Sequence, residues 1–227
     1  MVNVVRSIFS FAHHLFFKVI TPHFKAETFK PVMDVLYVYF EQIATHFDII
    51  NEYYIKLYDD IIKNEIEIAQ INQSDQVLVI GSGSLPMTPI LITKNTKAKV
   101  HTIDKDKKAV KNAQQYIKRF HLSESITVSY EDACQLNMAD FDVIFVLYGI
   151  CGLERVFSMI SKTAFSSARI IYRIPPDALD HNNLRSVCPN HFIIQKKVIT
   201  TSIGGVISLL LQKKNQKKTN EMSISKN

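Results

Sequence analysis

The first 80 residues contain no glycine; all six glycines stand at or beyond position 81, and the only prolines of the front stretch are Pro22 and Pro31. Glycine is the default residue for sharp turns with positive φ, so this shift predicts a helical front section and a loop-rich back section. Tryptophan is also absent, which alone excludes nothing. Cysteine is scarce: Cys134, Cys151 and Cys188 are widely spaced, odd in number and form no CxxC pair. That excludes a disulfide framework and a Cys-rich zinc site, and predicts buried free thiols in a reducing cytosol. The histidines are scattered with no His-x-x-x-His pair, so no metal site is expected. The most apolar stretch, MVNVVRSIFSFAHHLFFKVI, is broken by Arg6, His13, His14 and Lys18 and is too interrupted for a membrane span. No small-residue cleavage site follows it, so no signal peptide is expected. A helix over residues 4–20 lying on a membrane surface is the less favoured use of this stretch. Packing on its own domain or on a partner subunit is the commoner one, and the cytoplasm is the expected location.

What is present fits a soluble globular protein of one domain: 227 residues, 47% hydrophobic and 21% charged. The net charge of +6 suggests nucleic acid until it is located. Residues 212–227 hold five lysines and one glutamate, which is +4 of that total. No aromatic residue is interleaved there to stack on bases, so the stretch reads as a solvated tail and no nucleic-acid partner is expected.

Along the front section, Val32, Leu36, Tyr39, Phe40, Ile43 and Phe47 recur at three- and four-residue steps, as do Ile50, Tyr54, Leu57, Ile61 and Ile68. The period predicts helices near 30–46 and 49–69. The back section alternates short apolar runs with polar periodic ones. Strands are predicted at 77–80, 100–103, 125–130, 142–147 and 168–174, with helices at 87–93 and 106–120. Two extended runs, HFIIQKKVITT and GGVISLLLQKK, meet near Gly204 and Gly205 as an antiparallel hairpin. The expected fold is therefore α/β: a Rossmann-like parallel sheet completed by a C-terminal antiparallel hairpin, the order of class I methyltransferase domains. The expected divisions are a helical section at 1–72, the sheet domain at 73–212 and a disordered basic tail at 213–227.

The chemistry begins at Gly81 and Gly83, where the first strand must turn and leave room for a ligand against bare backbone. A lone G-x-G also serves simple turns. Asp104, 21 residues after Gly83, ends the next strand, where a carboxylate accepts hydrogen bonds from both hydroxyls of a ribose. Asp106 is its fallback. Asp132, after the third strand, is suited to accept from an adenine amino group. Each acid alone reads equally as a helix cap or turn residue; the three together after successive strands point to a nucleoside. A dinucleotide fingerprint wants a third glycine at position 86, and this chain has Pro86. NAD and FAD are thereby disfavoured, whereas S-adenosyl-L-methionine (SAM) carries no phosphate and needs no anion site. Pro86 and Pro89 fall in the first turn of the following helix, where a missing N–H costs little.

The stretch GSGSLPMTPI resembles the glycine–leucine–proline–threonine loop of nicotianamine synthases, with Ser84 where that family usually has proline. HTIDKDKKAVKNA, FDVIFVLYGICGLE and ARIIYRIPPDAL resemble the family's acidic motif and its fourth and fifth strands, and the resemblance covers residues 76–185. Val79 and Leu85 stand where ordinary methyltransferases carry an acid and a further glycine. The resemblance implies a SAM-dependent transferase that moves the 3-amino-3-carboxypropyl group to a small-molecule amine or amino-acid acceptor. It implies SAM at Gly81, Ser82, Gly83, Ser84, Asp104 and Asp132. It places Glu41 and Tyr54, from the helices before the first strand, beside the reacting amine as a base or polar partner. Tyr148 and Arg173 are candidates for the acceptor pocket, Arg173 to hold a substrate carboxylate or to cap the sheet. Two alternatives stand beside it: a SAM-dependent methyltransferase acting on a small molecule or lipid, and a non-catalytic SAM-fold module that binds through its helical front. The first reading loses mechanistic support if Tyr54 and Glu41 both lie far from the glycine turn.

Overall fold

A computed structural model describes residues 48–174, 188–201 and 206–214, with side chains for Ile55 and from Tyr58 onward. The helices expected at 4–20 and 30–46, Glu41, the turn at 202–205 and the stretch 215–227 lie outside the described residues.

Helix α1 (Asp48–Ala69) leads into β1 (Gln76–Ile80). There follow α2 (Met87–Thr96), β2 (Lys99–Asp104), α3 (Lys107–Arg119) and β3 (Ile126–Tyr130). Then come β4 (Val143–Val146), α4 (Leu153–Thr163), β5 (Arg169–Ile174), β6 (Phe192–Thr200) and β7 (Val206–Lys213). One sheet has the order β3-β2-β1-β4-β5-β7-β6. β1 to β5 run parallel, and β7 lies antiparallel between β5 and β6. The expected parallel sheet and terminal hairpin are present, and the hairpin's second strand is the inner one. α4 was not among the helices predicted from the sequence.

Both faces of the sheet are covered, which is why β1 and β4 are apolar runs rather than alternating ones. Val77 and Val79 face a core shared with α1, α2 and α3, while Leu78 and Ile80 face the core under α4. α2 is buried from Met87 through Thr93, so a sequence apolar on all sides is what its position requires. The thiols correct one expectation: Cys134 and Cys188 are half-buried and Cys151 is exposed. Burial pushes the Cys134 and Cys188 pKa values up, because a thiolate loses hydration there. A thiol reagent at pH 7 is therefore expected to label Cys151 first, read by peptide mass spectrometry over time. Labelling of Cys188 ahead of it would contradict this placement.

Two lysines of the stretch expected as a basic tail, Lys213 and Lys214, are hydrogen-bonded to the sheet domain. Lys213 closes β7 and donates to the Ala164 carbonyl, and Lys214 donates to that of Asn190, each at 2.6 Å. Among the described residues no helix is long and apolar enough to cross a membrane.

Candidate functional site

β1 ends at Ile80, and its hydrogen bonding to β2 continues one step further. The Gly81 and Ser82 N–H groups both donate to the Ile103 carbonyl, at 2.9 and 3.3 Å. Gly81 then takes φ +86° and Gly83 φ +61°, a region L side chains seldom adopt. The two glycines differ in what surrounds them. A Cβ on Gly81 would lie 3.2 Å from Cγ1 of Ile150, in the loop after β4, whereas one on Gly83 would meet no atom within 4 Å. Gly81 is thus required by close packing as well as by its φ, whereas Gly83 is required by its φ alone and its backbone lies open.

Asp104 is the brace of this turn. Its Oδ2 accepts from the Gly83 N–H at 2.9 Å, and its Oδ1 accepts from the Asp106 N–H at 3.0 Å. Each carboxylate oxygen retains a second lone pair for a ligand hydroxyl. Asp106, the fallback, is spent as a cap: its side chain accepts from the Lys108 N–H at 2.8 Å and starts α3. Asp132 is exposed and accepts from the Cys134 N–H at 2.9 Å. That backbone hydrogen bond, ahead of weaker contributions from Lys105 and Arg155, holds its pKa below the ordinary carboxylate range. A cavity of about 670 Å³ adjoins it at the carboxyl ends of β2 and β3, lined by Lys105, Tyr130, Glu131, Asp132, Gln135, Leu136 and Asn137. It lies on the Asp132 side of the site, not over the glycine turn.

Ser82 is 7% exposed, and its Oγ is the one buried side-chain polar atom among the described residues without a hydrogen-bond partner. Buried hydroxyls are normally satisfied. One left open beside the unobstructed backbone of Gly83 suits a polar ligand. Ser84 Oγ accepts from Asn112 Nδ2 at 3.3 Å. Tyr148 follows β4 and is half exposed, two residues from the Ile150 that packs on Gly81. The structure therefore brings Gly81, Ser82, Gly83, Ser84, Asp104, Asp132 and Tyr148 to the carboxyl ends of the parallel strands, where open α/β sheets bind ligands.

Arg173, expected to hold a substrate carboxylate or to cap the sheet, is paired inside the fold. It is buried on the α1 side of the sheet, with Nε 2.7 Å from Glu65 Oε1 and Nη2 2.6 Å from Glu65 Oε2. Nη1 donates to Thr88 Oγ1 at 3.0 Å, and Ser208 Oγ donates to Glu65 Oε1 at 2.6 Å. Burial works against the guanidinium's charge, but the Glu65 carboxylate, its hydrogen bonds and a smaller contribution from Tyr58 outweigh it, so the Arg173 pKa is raised. A guanidinium that already carries an internal carboxylate has little charge to offer a substrate's. Glu65, Thr88 and Ser208 were missed in the sequence; the available signal was an acid at position 65 on the apolar face that Ile61, Ile62 and Ala69 define.

Tyr54 is on α1, and only its backbone is described. Asp59 of the same helix accepts from Asn95 Nδ2 at 3.2 Å, at the end of α2 away from the glycine turn. The expectation that Tyr54 stands beside the turn therefore rests on resemblance alone, as it does for Glu41.

Comparison with known proteins bears on what this arrangement serves. The chain is 22% identical over 165 residues to the L-histidine 2-aminobutanoyltransferase of Yersinia pestis, matching 69% of this chain and 60% of that protein. It thus spans well under two thirds of that curated relative's length. Among solved structures, a Glu-to-Gln mutant of MtNAS in complex with S-adenosylmethionine superposes with TM-score 0.62 at 20% identity, over 73% of this chain and 65% of that one. An RNA methyltransferase from Salinibacter ruber in complex with S-adenosyl-L-homocysteine gives 0.56 at 12% identity, over 72% and 97%. At these identities the structures show the fold, that of class I SAM-dependent methyltransferases. The family model described as "Nicotianamine synthase protein" matches residues 37–175, more than half of the sequence and including the helical approach to β1, and so this chain belongs to the nicotianamine synthase family.

Proposed function

We propose that this protein is a SAM-dependent transferase that moves the 3-amino-3-carboxypropyl group of SAM to a small amine or amino acid. The observation that carries the reading is the family match over residues 37–175. A fold alone does not choose a reaction, but this match extends beyond the sheet into the helical front section. The relative from Yersinia pestis, named for a histidine acceptor, supports an amino-acid acceptor here.

The residues fit SAM. Asp104 has lone pairs for the ribose hydroxyls, Asp132 suits the adenine amino group, and the open backbone at Gly83 with the unpartnered Ser82 hydroxyl suits the polar methionine arm. SAM supplies a sulfonium whose three neighbouring carbons are electrophilic. The chain's task is to hold one of them in line with the acceptor nitrogen, and a turn built with Val79 and Leu85 is suited to orient the methionine arm its own way. Tyr148 lines the acceptor side. The acceptor amine must be neutral to attack, so its proton passes to a base or polar partner, the role the resemblance gives to Glu41 and Tyr54. The reading places the reaction in the cytoplasm, with no nucleic-acid partner.

Methyl transfer to a small molecule or lipid is the second reading, favoured by methyltransferases among the structures that share the fold. Incubation with SAM and a pool of amino acids and polyamines, with a no-enzyme control, separates the two by mass spectrometry of the nucleoside product. Enzyme-dependent methylthioadenosine is the expected result. Adenosylhomocysteine would establish methyl transfer instead, and neither product above the control would leave a SAM-fold module without catalysis.

A further inference from the structure

The start of α2 is weakly held by the means helices usually employ. Its N-cap is Pro86, with no side-chain capping bond, and Pro86 and Pro89 supply no N–H. The preceding turn relies on positive φ at Gly81 and Gly83, and Gly83 is the last residue that Asp104 braces. Beyond it Ser84 takes one bond from Asn112 and Leu85 packs on the core, and the entry into α2 needs a further fixed point to keep one shape. Thr88, 4% exposed in the first turn of α2, takes a hydrogen bond from Arg173 Nη1. The Arg173 guanidinium is itself immobilised by the bidentate Glu65 pair, and Glu65 by Ser208 on β7. One buried network thus joins α1, β5 and β7 to the helix that carries the glycine turn.

A buried ion pair is a poor device for stability alone, since apolar residues of similar volume commonly do as well. What apolar packing does not provide is direction. A planar guanidinium locked in a fork by a carboxylate presents its remaining N–H groups at fixed angles. We propose that Arg173 is a positioning residue for the SAM turn: held by Glu65, it sets the first turn of α2 through Thr88, and thereby the shape of residues 81–86. This rests on the reading that the turn binds SAM.

Thr88→Val tests it, because the exchange keeps the side chain's shape and removes the hydroxyl; Thr88→Ser keeps the hydroxyl and removes a methyl group. Calorimetric titration with SAM is expected to give an affinity about tenfold weaker for Thr88→Val, the loss of one charge-assisted hydrogen bond's worth of preorganisation. Thr88→Ser is expected to remain within about threefold of the parent. Amide exchange of residues 81–88 without ligand is expected to speed up in Thr88→Val and not in Thr88→Ser. A folded Thr88→Val protein with parental affinity and parental exchange over the turn would overturn the proposal. If the parent protein binds no SAM, the SAM reading fails, and the exchange measurement alone decides whether Thr88 fixes the turn. If Thr88→Val does not fold, Arg173→Lys, which keeps the charge and loses the fork, takes its place with the same two outcomes.

Discussion

Glu65→Ala is expected to destabilise the protein by about 3–5 kcal/mol, the cost of leaving one charge of a buried pair without its partner. Glu65 is fully buried and receives three hydrogen bonds, two from Arg173 and one from Ser208. Alanine would leave the buried Arg173 guanidinium without its counter-charge and remove the acceptor of the Ser208 hydroxyl. For a chain of this size the loss corresponds to a fall in Tm of roughly 6–20 °C. Urea denaturation followed by circular dichroism measures it directly. Replacing the pair together, by Glu65→Leu with Arg173→Met, is expected to restore most of the stability, because no buried charge is left over. A Glu65→Ala loss below about 1 kcal/mol, the range of an exposed pair, would mean that water reaches the network. The raised pKa of Arg173 fixes the sign of its pH dependence. Its share of stability is complete below the ordinary arginine range and is lost only as pH rises through the raised value. The pair therefore does not weaken between neutral and moderately alkaline pH through Arg173.

Asp104→Ala is expected to weaken SAM binding by about 10²-fold. The figure follows from two hydrogen bonds to a charged acceptor at about 1.5 kcal/mol each. The same change removes the acceptor for the Gly83 N–H, so the turn loosens as the ligand contact is lost. Asp104→Asn keeps one oxygen acceptor and is expected to lose less, about tenfold. Titration calorimetry with SAM or adenosylhomocysteine reads both, and a Tm for each variant separates a lost contact from a lost fold. An Asp104→Ala protein that binds within about threefold of the parent would remove Asp104 from the cofactor site. Asp132 adds a pH signature. Its pKa is depressed, so its small share of stability is present above the ordinary aspartate range and fades as pH falls through the depressed value.

Some of this protein was set by its sequence. The strand runs 77–80, 100–103 and 142–147, the glycine pair and the acids at 104 and 132 were legible because each depends on local rules. A buried strand is an apolar run, a turn at positive φ needs glycine, and an acid that closes or follows such a run stands at the strand's carboxyl end, where this sheet type binds ligands. Pro86 in place of a third glycine spoke against a dinucleotide by the same kind of rule. The buried network was not legible. Glu65, Thr88, Arg173 and Ser208 are separated by up to 143 positions, and each alone reads as an ordinary polar residue. Only the antiparallel entry of β7 beside β5, which sets Arg173 opposite Ser208, brings them within hydrogen-bonding distance under α1. Arg173 was read from the sequence as holding a substrate carboxylate or capping the sheet, because an arginine's charge is visible and its counter-charge is not. Tertiary structure assigned that charge inward, since burial leaves a guanidinium no stable choice but the nearest carboxylate.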